Sequence, residues 1–222
     1  MKTFDLVIIG GGPAGIAAAS TAAKHGLEVA IIDERPTLGG QIYKRVGPGF
    51  KVKSAKEVGK DYYLGEKLIT ELDNSTVKLY LETIVATIEN SEVVVVQSGK
   101  NAERLSCRKL LISPGAYDRP VVFPGWTLPG VITAGAAQSL VKTQRVLPGS
   151  RIFFAGSGPL ALAFPAQLSG YGANIVGIIE AAPRPGILKS IRIALSVLGN
   201  FDLLRDAAKY QTHLLSNRIP MN

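Results

Sequence analysis

The segments Gly10-Gly11-Gly12-Pro13-Ala14-Gly15 and Gly156-Ser157-Gly158-Pro159-Leu160-Ala161, 146 residues apart, hold the residue types and spacing that could do chemistry in this chain. The chemistry is the cradling of a dinucleotide pyrophosphate. Gly10 lets the chain turn sharply out of a strand, Gly12 removes a side chain where backbone must approach phosphate, and Gly15 lets the next helix lie close to the sheet. Pro13 and Ala14 complete the motif, and the N-terminus of the helix that follows offers unpaired N–H groups and a positive dipole end to the phosphates.

The elements needed to position these residues are present. Phe4 to Ile9 is an apolar strand and Ile16 to Ala23 a small-residue helix ending near His25-Gly26. Glu28 to Ile32 is a second strand, closed by Asp33. Asp33 lies 23 residues after Gly10, about the spacing at which an acid meets a ribose hydroxyl. The second copy repeats the plan: Ser150 to Ala155 as strand, Leu160 to Leu168 as helix, Asn174 to Ile179 as strand, and Glu180 as the closing acid. Ala161 replaces its third glycine, and Pro165 should kink the helix or remove a hydrogen bond. Glu180 favours a free ribose hydroxyl and hence NAD over NADP, and an empty site kept for the fold is the alternative reading. Two dinucleotide sites in one chain point to electron movement between two carriers, as in a flavin-dependent oxidoreductase.

Composition excludes other classes. A single cysteine, Cys107, permits no intrachain disulfide, no Cys-x-x-Cys redox pair and no four-thiolate cluster. The net charge of +8 (25 basic, 17 acidic) comes from scattered residues with no aromatic platform among them. It suits anionic cofactors and acidic substrates better than nucleic acid. No apolar stretch reaches the 18 or so residues of a membrane span. The first strand begins too early for a secretory signal, so a cytoplasmic location is expected.

Between the glycine motifs, Gly39-Gly40-Gln41 offers a close backbone approach and an amide that donates or accepts. Ser54 to Leu72 has helical periodicity. Val77 to Ile88, Val93 to Gln97 and Arg104 to Cys107 read as a β-meander at about 76–108, and Leu110-Leu111-Ile112 returns to the parallel sheet. The expected fold is α/β. A Rossmann-like FAD-binding domain over 1–147 precedes the start of a second, NAD(P)-binding Rossmann-like domain over 148–222.

This succession resembles the pyridine nucleotide-disulfide type of FAD oxidoreductases. Leu38-Gly39-Gly40-Gln41-Ile42-Tyr43, Ser113 to Pro120 and Phe123 to Val131 resemble a narrower group. That group comprises opine oxidase large subunits, D-hydroxyproline-type dehydrogenases and one of the hydrogen cyanide synthase chains. The resemblance implies that Gly10, Gly12, Ala14 and Gly15 hold the FAD pyrophosphate and Asp33 the adenosine ribose. Glu34 and Arg35 would border the adenine, and Val85 would meet it through its backbone. Gly40 and Gln41 would lie near the ribityl chain or the flavin, and Gly115 against the cofactor where the strand ends.

Relatives of this kind are roughly twice as long and add a late Gly-Asp segment, so an unfinished second domain is expected here. The tail from Gly186, with Leu188, Ile191, Leu195, Leu198, Leu203, Leu204, Leu214 and Leu215, reads as helical. Its apolar residues predict exposed surface, with dimerisation or membrane-surface attachment as readings of it. The activity implied is oxidation of an amine or amino-acid derivative by hydride transfer to flavin, and the amine site can lie on a second subunit. The alternatives are an NAD(P)H-dependent reductase feeding another protein and a non-catalytic scaffold. No residue presents itself as a catalytic acid or base.

Overall fold

The computed structural model describes residues 2–47, 49–52, 60–73, 76–90, 92–97, 102–158, 160–182 and 201–221. Contacts divide the chain into two compact units: Met1–Asp118 with Lys142–Gln144, and Arg119–Val141 with Arg145–Asn222.

In the first unit, β1 (Lys2–Ile9), α1 (Pro13–Lys24) and β2 (Val29–Ile32) form the expected β-α-β unit. They are followed by α2 (Lys60–Asp73), β3 (Lys78–Tyr80), β4 (Thr83–Glu89), β5 (Glu92–Gln97) and β6 (Glu103–Ile112). The sheet order is β3-β2-β1-β6-β5-β4. β1 pairs in parallel with both β2 and β6, and β3 pairs in parallel with β2. β4 and β5 complete the sheet as antiparallel strands.

β1 is central because it is apolar on both faces. Val7 faces one core with Ala30, Ile32, Val93, Val95, Leu105 and Cys107. Ile8 faces another with Ile16 and Ala19 of α1, Ile31, Leu38 and Leu72. Continuous apolar strands of this kind mark a parallel sheet covered on both sides. Full burial of each such side chain contributes about 1.5–3 kcal/mol.

Two details differ from the sequence reading. Lys78–Tyr80 joins the parallel side of the sheet rather than a meander, because Ala30 to Ile32 offer it a parallel edge. The segments read separately as Arg104–Cys107 and Leu110–Ile112 form one strand, β6. Its Glu103–Ser106 half pairs antiparallel with β5, while the strand lies parallel to β1 along most of its length. The helix expected from Ser54 is described from Lys60 onward, and its earlier residues lie outside the described set.

In the second unit, α3 (Ala134–Lys142, its last residue grouping with the first unit), β7 (Ile152–Gly156), α4 (Leu160–Gly170), β8 (Ile175–Glu180) and α5 (Phe201–Ser216) follow in order. β7 and β8 pair in parallel. Ala137 and Val141 of α3 pack into a core with Ala166, Leu168, Ile175, Ile178 and Leu214. For that reason 119–141 group with the second sheet, although the sequence division at 147 put them with the first. Helix α4 runs on through Pro165, which is fully buried. The cost is one N–H that would otherwise meet the Ala161 carbonyl. Ile219-Pro220-Met221, read as the start of a strand, bridges Ile178 in parallel, with the Ile178 N–H donating to the Pro220 carbonyl at 2.9 Å. Leu204 and Leu215 of α5 are exposed while Leu214 is buried, and the tail residues Leu188 to Leu198 lie outside the described set. Among the described residues, no helix is long and apolar enough to cross a membrane and no acidic, His or Cys cluster could hold a metal ion.

Candidate functional site: a dinucleotide cradle

The glycine turn is shaped by close approach. Gly10 has φ +105°, where a Cβ would collide with the Ser113 carbonyl at the end of β6. A Cβ on Gly15 would collide with the Gly10 carbonyl oxygen, so this position has room for glycine alone. The turn hands the chain to α1 with Gly12 as N-cap, Pro13 in the first helical turn and no side chain capping it. The Ile16 N–H bonds the Gly12 carbonyl at 2.9 Å. The amides of Ala14 and Gly15 precede that first intrahelical bond and face the positive end of the helix dipole. Ala14 is exposed, and a Cβ on Gly12 would come no nearer to another residue than 3.8 Å, to the Gly40 Cα. A Cβ at Gly12 would thus meet only ordinary contact with Gly40.

Asp33 closes this cradle. Its Oδ2 accepts a hydrogen bond from the Gly11 N–H at 2.6 Å, and its Oδ1 accepts one from the Arg35 N–H at 2.8 Å. Each carboxylate oxygen keeps a further lone pair able to accept another hydrogen bond. The Thr83 N–H donates to the Asp33 carbonyl at 3.0 Å and the Glu82 N–H to the Arg35 carbonyl at 3.1 Å, which brings the start of β4 to the acid. Val85 lies two residues further on, opposite Val95, and packs its side chain towards the core. The register shift between Val85 and Thr87 is a bulge that releases backbone from the ladder there. Glu34 accepts a hydrogen bond from the Tyr117 hydroxyl, which holds the Tyr117 pKa up. Gly115 has φ +78° and open space where a Cβ would stand.

The Gly39-Gly40-Gln41 loop is docked onto the same turn. The Gly39 N–H donates to the Gly11 carbonyl at 2.8 Å, and Gly40 lies against Gly12 closely enough that a Cβ on Gly40 would fall 2.8 Å from the Gly12 Cα. The Arg35 Nη1 reaches the Gly40 carbonyl at 3.5 Å. Gln41 follows at the half-buried exit of this turn. The structure thus assembles Gly10, Gly12, Pro13, Ala14, Gly15, Asp33, Arg35 and Gly40 in one place, with Gln41 beside them. Glu34, Val85 and Gly115 lie on the segments that border it.

Sequence reasoning missed Gly11, Leu38 and Lys44. Gly11 is the middle glycine of the motif, and its role as donor to Asp33 depends on a fold-level distance. Leu38 is buried, and a Cβ on Gly11 would collide with its side chain. Lys44 gives no sequence signal, because lysine belongs on the surface by default. Here it is 6% exposed. Burial, with the Arg35 and Lys142 charges adding to it, pushes its pKa down from 10.5 to about 8, against an opposing effect of Asp118. Between pH 8 and 10.5 the unfolded chain keeps a proton that the folded chain releases, so stability rises with pH across that window. Lys44→Met is expected to abolish that rise. Chemical denaturation of both proteins at pH 7, 9 and 10.5 checks it.

In the second unit, Gly156 and Glu180 are register partners on β7 and β8, as the copied motif requires. The Ala181 N–H donates to the Gly156 carbonyl at 2.7 Å, and the Glu180 carboxylate accepts the Ala182 N–H at 3.1 Å. Gly158 has φ +79° with open space around it, and Pro159 lies outside the described residues. Ala161 is buried at the start of α4, in place of the third glycine.

Comparison with known proteins agrees with this geometry. The pyridine nucleotide-disulphide oxidoreductase family model matches residues 4–194. An opine oxidase subunit from Rhizobium meliloti (strain 1021) is 36% identical over 192 residues, 86% of this chain and 42% of that protein. Hydrogen cyanide synthase subunit HcnB of Pseudomonas protegens is 33% identical, over 96% of this chain and 45% of that one. Among solved structures, L-proline dehydrogenase from P. horikoshii superposes with a TM-score of 0.65 at 27% identity, over 78% of this chain and 34% of that one. The chain thus spans under half the length of these relatives. The two glycine turns, their closing acids and the strand order agree with the family match: the chain belongs to the pyridine nucleotide-disulphide oxidoreductase family of FAD-dependent enzymes.

Proposed function

We propose that the first unit binds FAD through the cradle and that the chain acts in oxidising an amine or amino-acid derivative. The observation that carries the cofactor assignment is the Asp33 carboxylate, tied to the Gly11 N–H below an uncapped helix start. Ala14 and Gly15 would present amides to the pyrophosphate, and Asp33 would take a ribose hydroxyl. Glu34, Arg35 and the Val85 backbone would border the adenine, while Gly40, Gln41 and Gly115 would lie along the cofactor. When bound, the cofactor supplies the two-electron acceptor for a hydride leaving the carbon next to nitrogen. The chain's own part is to orient it, to keep Gly12 clear for phosphate, and to hold the turn rigid.

The relatives' names support this substrate class: one is an opine oxidase subunit and another an L-proline dehydrogenase. Several relatives are named as subunits, which supports a partner chain in the working enzyme. Exposed Leu204 and Leu215 offer surface for association with such a partner or a second copy. A cytoplasmic location belongs to the same reading and suits the reduced, buried thiol of Cys107.

A second reading has one observation in its favour. Gly156 stands opposite Glu180 with open space at Gly158, which would suit NAD(P). An NAD(P)H-dependent reductase would then pass electrons through FAD to another protein. Anaerobic mixing of the FAD-loaded chain with NADH separates the two. The oxidase or dehydrogenase reading expects the flavin absorbance to persist with NADH and to bleach with an amine substrate once the partner is present. Rapid bleaching by NADH alone would contradict it and favour the reductase.

A further inference from the structure

The carboxyl end of β1 is bridged from one neighbouring strand to the other. Ser113, just after β6, is anchored on the glycine turn. Its N–H donates to the Ile9 carbonyl at 2.8 Å and its Oγ to the same carbonyl at 3.1 Å. Its own carbonyl lies where a Cβ on Gly10 would stand. Gly115, at φ +78°, then bends the segment in a conformation that favours glycine. Two residues later the Tyr117 hydroxyl donates to Oε1 of Glu34, which follows the end of β2. The sheet order places β1 between β2 and β6, and both pair with it in parallel. The link from Ser113 through Tyr117 to Glu34 therefore passes across the end of β1, where the turn from Gly10 to Gly12 begins. Ligands of open parallel sheets lie outside these carboxyl ends.

The two ends of this link differ in strength. Ser113 is fixed by backbone, whereas Tyr117 is 68% exposed and Glu34 stands in solvent beside it. The residues flanking Glu34 are engaged elsewhere: Asp33 holds the Gly11 and Arg35 amides, and the Arg35 side chain reaches the Gly40 carbonyl. Among the described residues, the Glu34 carboxylate has no hydrogen-bond or ion-pair partner besides Tyr117. A solvent-exposed hydrogen bond of this kind shifts an open–closed equilibrium by a factor of about ten or less. That is too little to hold the fold together, and enough to set how often the link parts.

We propose that the hydrogen bond between Tyr117 and Glu34 is a latch across the path into the cradle, parting to admit the adenosine end of a dinucleotide and re-forming over it. The latch deepens the FAD reading, on which it rests, by assigning control of cofactor exchange to a named pair of side chains. A latch closed in both the free and the loaded chain acts on passage and leaves the end states alone. Weakening it then raises uptake and release together, and affinity stays where it was.

Stopped-flow fluorescence of the full chain mixed with FAD, and separately with the fluorescent probe etheno-ADP, reads uptake. A chase of the loaded chain with excess ADP reads release. Tyr117→Phe keeps the ring and removes the hydroxyl, so the fold and its melting temperature should stay at the wild-type level. Uptake and release should both speed up by about three- to tenfold, with the Kd within about twofold of wild type. Glu34→Ala should speed uptake to a similar extent and the double variant no further, because the two side chains act through one bond. Unchanged uptake in Tyr117→Phe, or rates that multiply in the double variant, would overturn the latch. So would a weaker Kd with uptake unchanged, which would make Tyr117 a cofactor contact instead. A wild type that takes up etheno-ADP but no FAD sinks the cofactor assignment, and the latch is then judged by the same criteria on etheno-ADP. A wild type that takes up neither probe overturns both.

Discussion

Gly15→Val should abolish FAD binding and lower the melting temperature by about 6–12 °C. The reason is steric. Even a single added carbon at Gly15 would overlap the Gly10 carbonyl oxygen and press on Ile8. Both obstacles are rigid, one being backbone and the other a fully buried side chain on β1. The helix can escape only by moving off the sheet, which opens the core around Ile8, Ile16 and Ala19. Overpacking and core opening together cost on the order of 3 kcal/mol. At roughly 2–4 °C per kcal/mol for a chain of this size, the stated fall follows. The same shift displaces the amides of Ala14 and Gly15 from the phosphate. Ala14→Ser, at the exposed neighbouring position, should leave both stability and FAD affinity close to wild type. A Gly15→Val chain that binds FAD normally would mean that the tight turn does not shape the cofactor site.

Asp33→Ala should weaken FAD binding by about 10- to 100-fold, measured by quenching of flavin fluorescence. Two losses combine. A ribose hydroxyl loses a charged acceptor, and such hydrogen bonds contribute about 1.5–3 kcal/mol. The Gly11 and Arg35 amides also lose their shared partner, so the turn is less ordered before ligand arrives. Asp33→Asn separates these effects, because its amide oxygen can still accept from one backbone N–H. It should recover part of the affinity. Undiminished binding by Asp33→Ala would remove Asp33 from the site.

The first β-α-β unit was legible in the sequence because its constraints are local. A glycine that must adopt φ +105° at Gly10, a small-residue helix and an acid at the end of the next strand are all short-range patterns. The continuity of β6 was harder to see. Arg108 and Lys109 interrupt its apolar run, yet Arg108 reaches Asp5 of β1 at 3.3 Å and the strand carries on. Lys78–Tyr80 was assigned to the wrong part of the sheet because a three-residue strand has little pattern of its own, and its place is set by Ala30 to Ile32. The site divides in the same way. Asp33 was legible from spacing, whereas the Gly39 to Gly11 bond and the Gly40 to Gly12 contact are tertiary. Lys44 was invisible for the same reason. Tertiary packing buries it, between a Tyr43 seated on Gly65 and an Arg45 over the Tyr62 ring.

FAD is proposed to sit in the turn from Gly10 to Gly15, closed by Asp33. The most direct test is the visible absorption spectrum of the purified chain after incubation with FAD and gel filtration. The expected result is a retained flavin spectrum near one FAD per chain, lost in Gly15→Val and reduced in Asp33→Ala. A colourless protein that shows no FAD uptake in a fluorescence titration would contradict it.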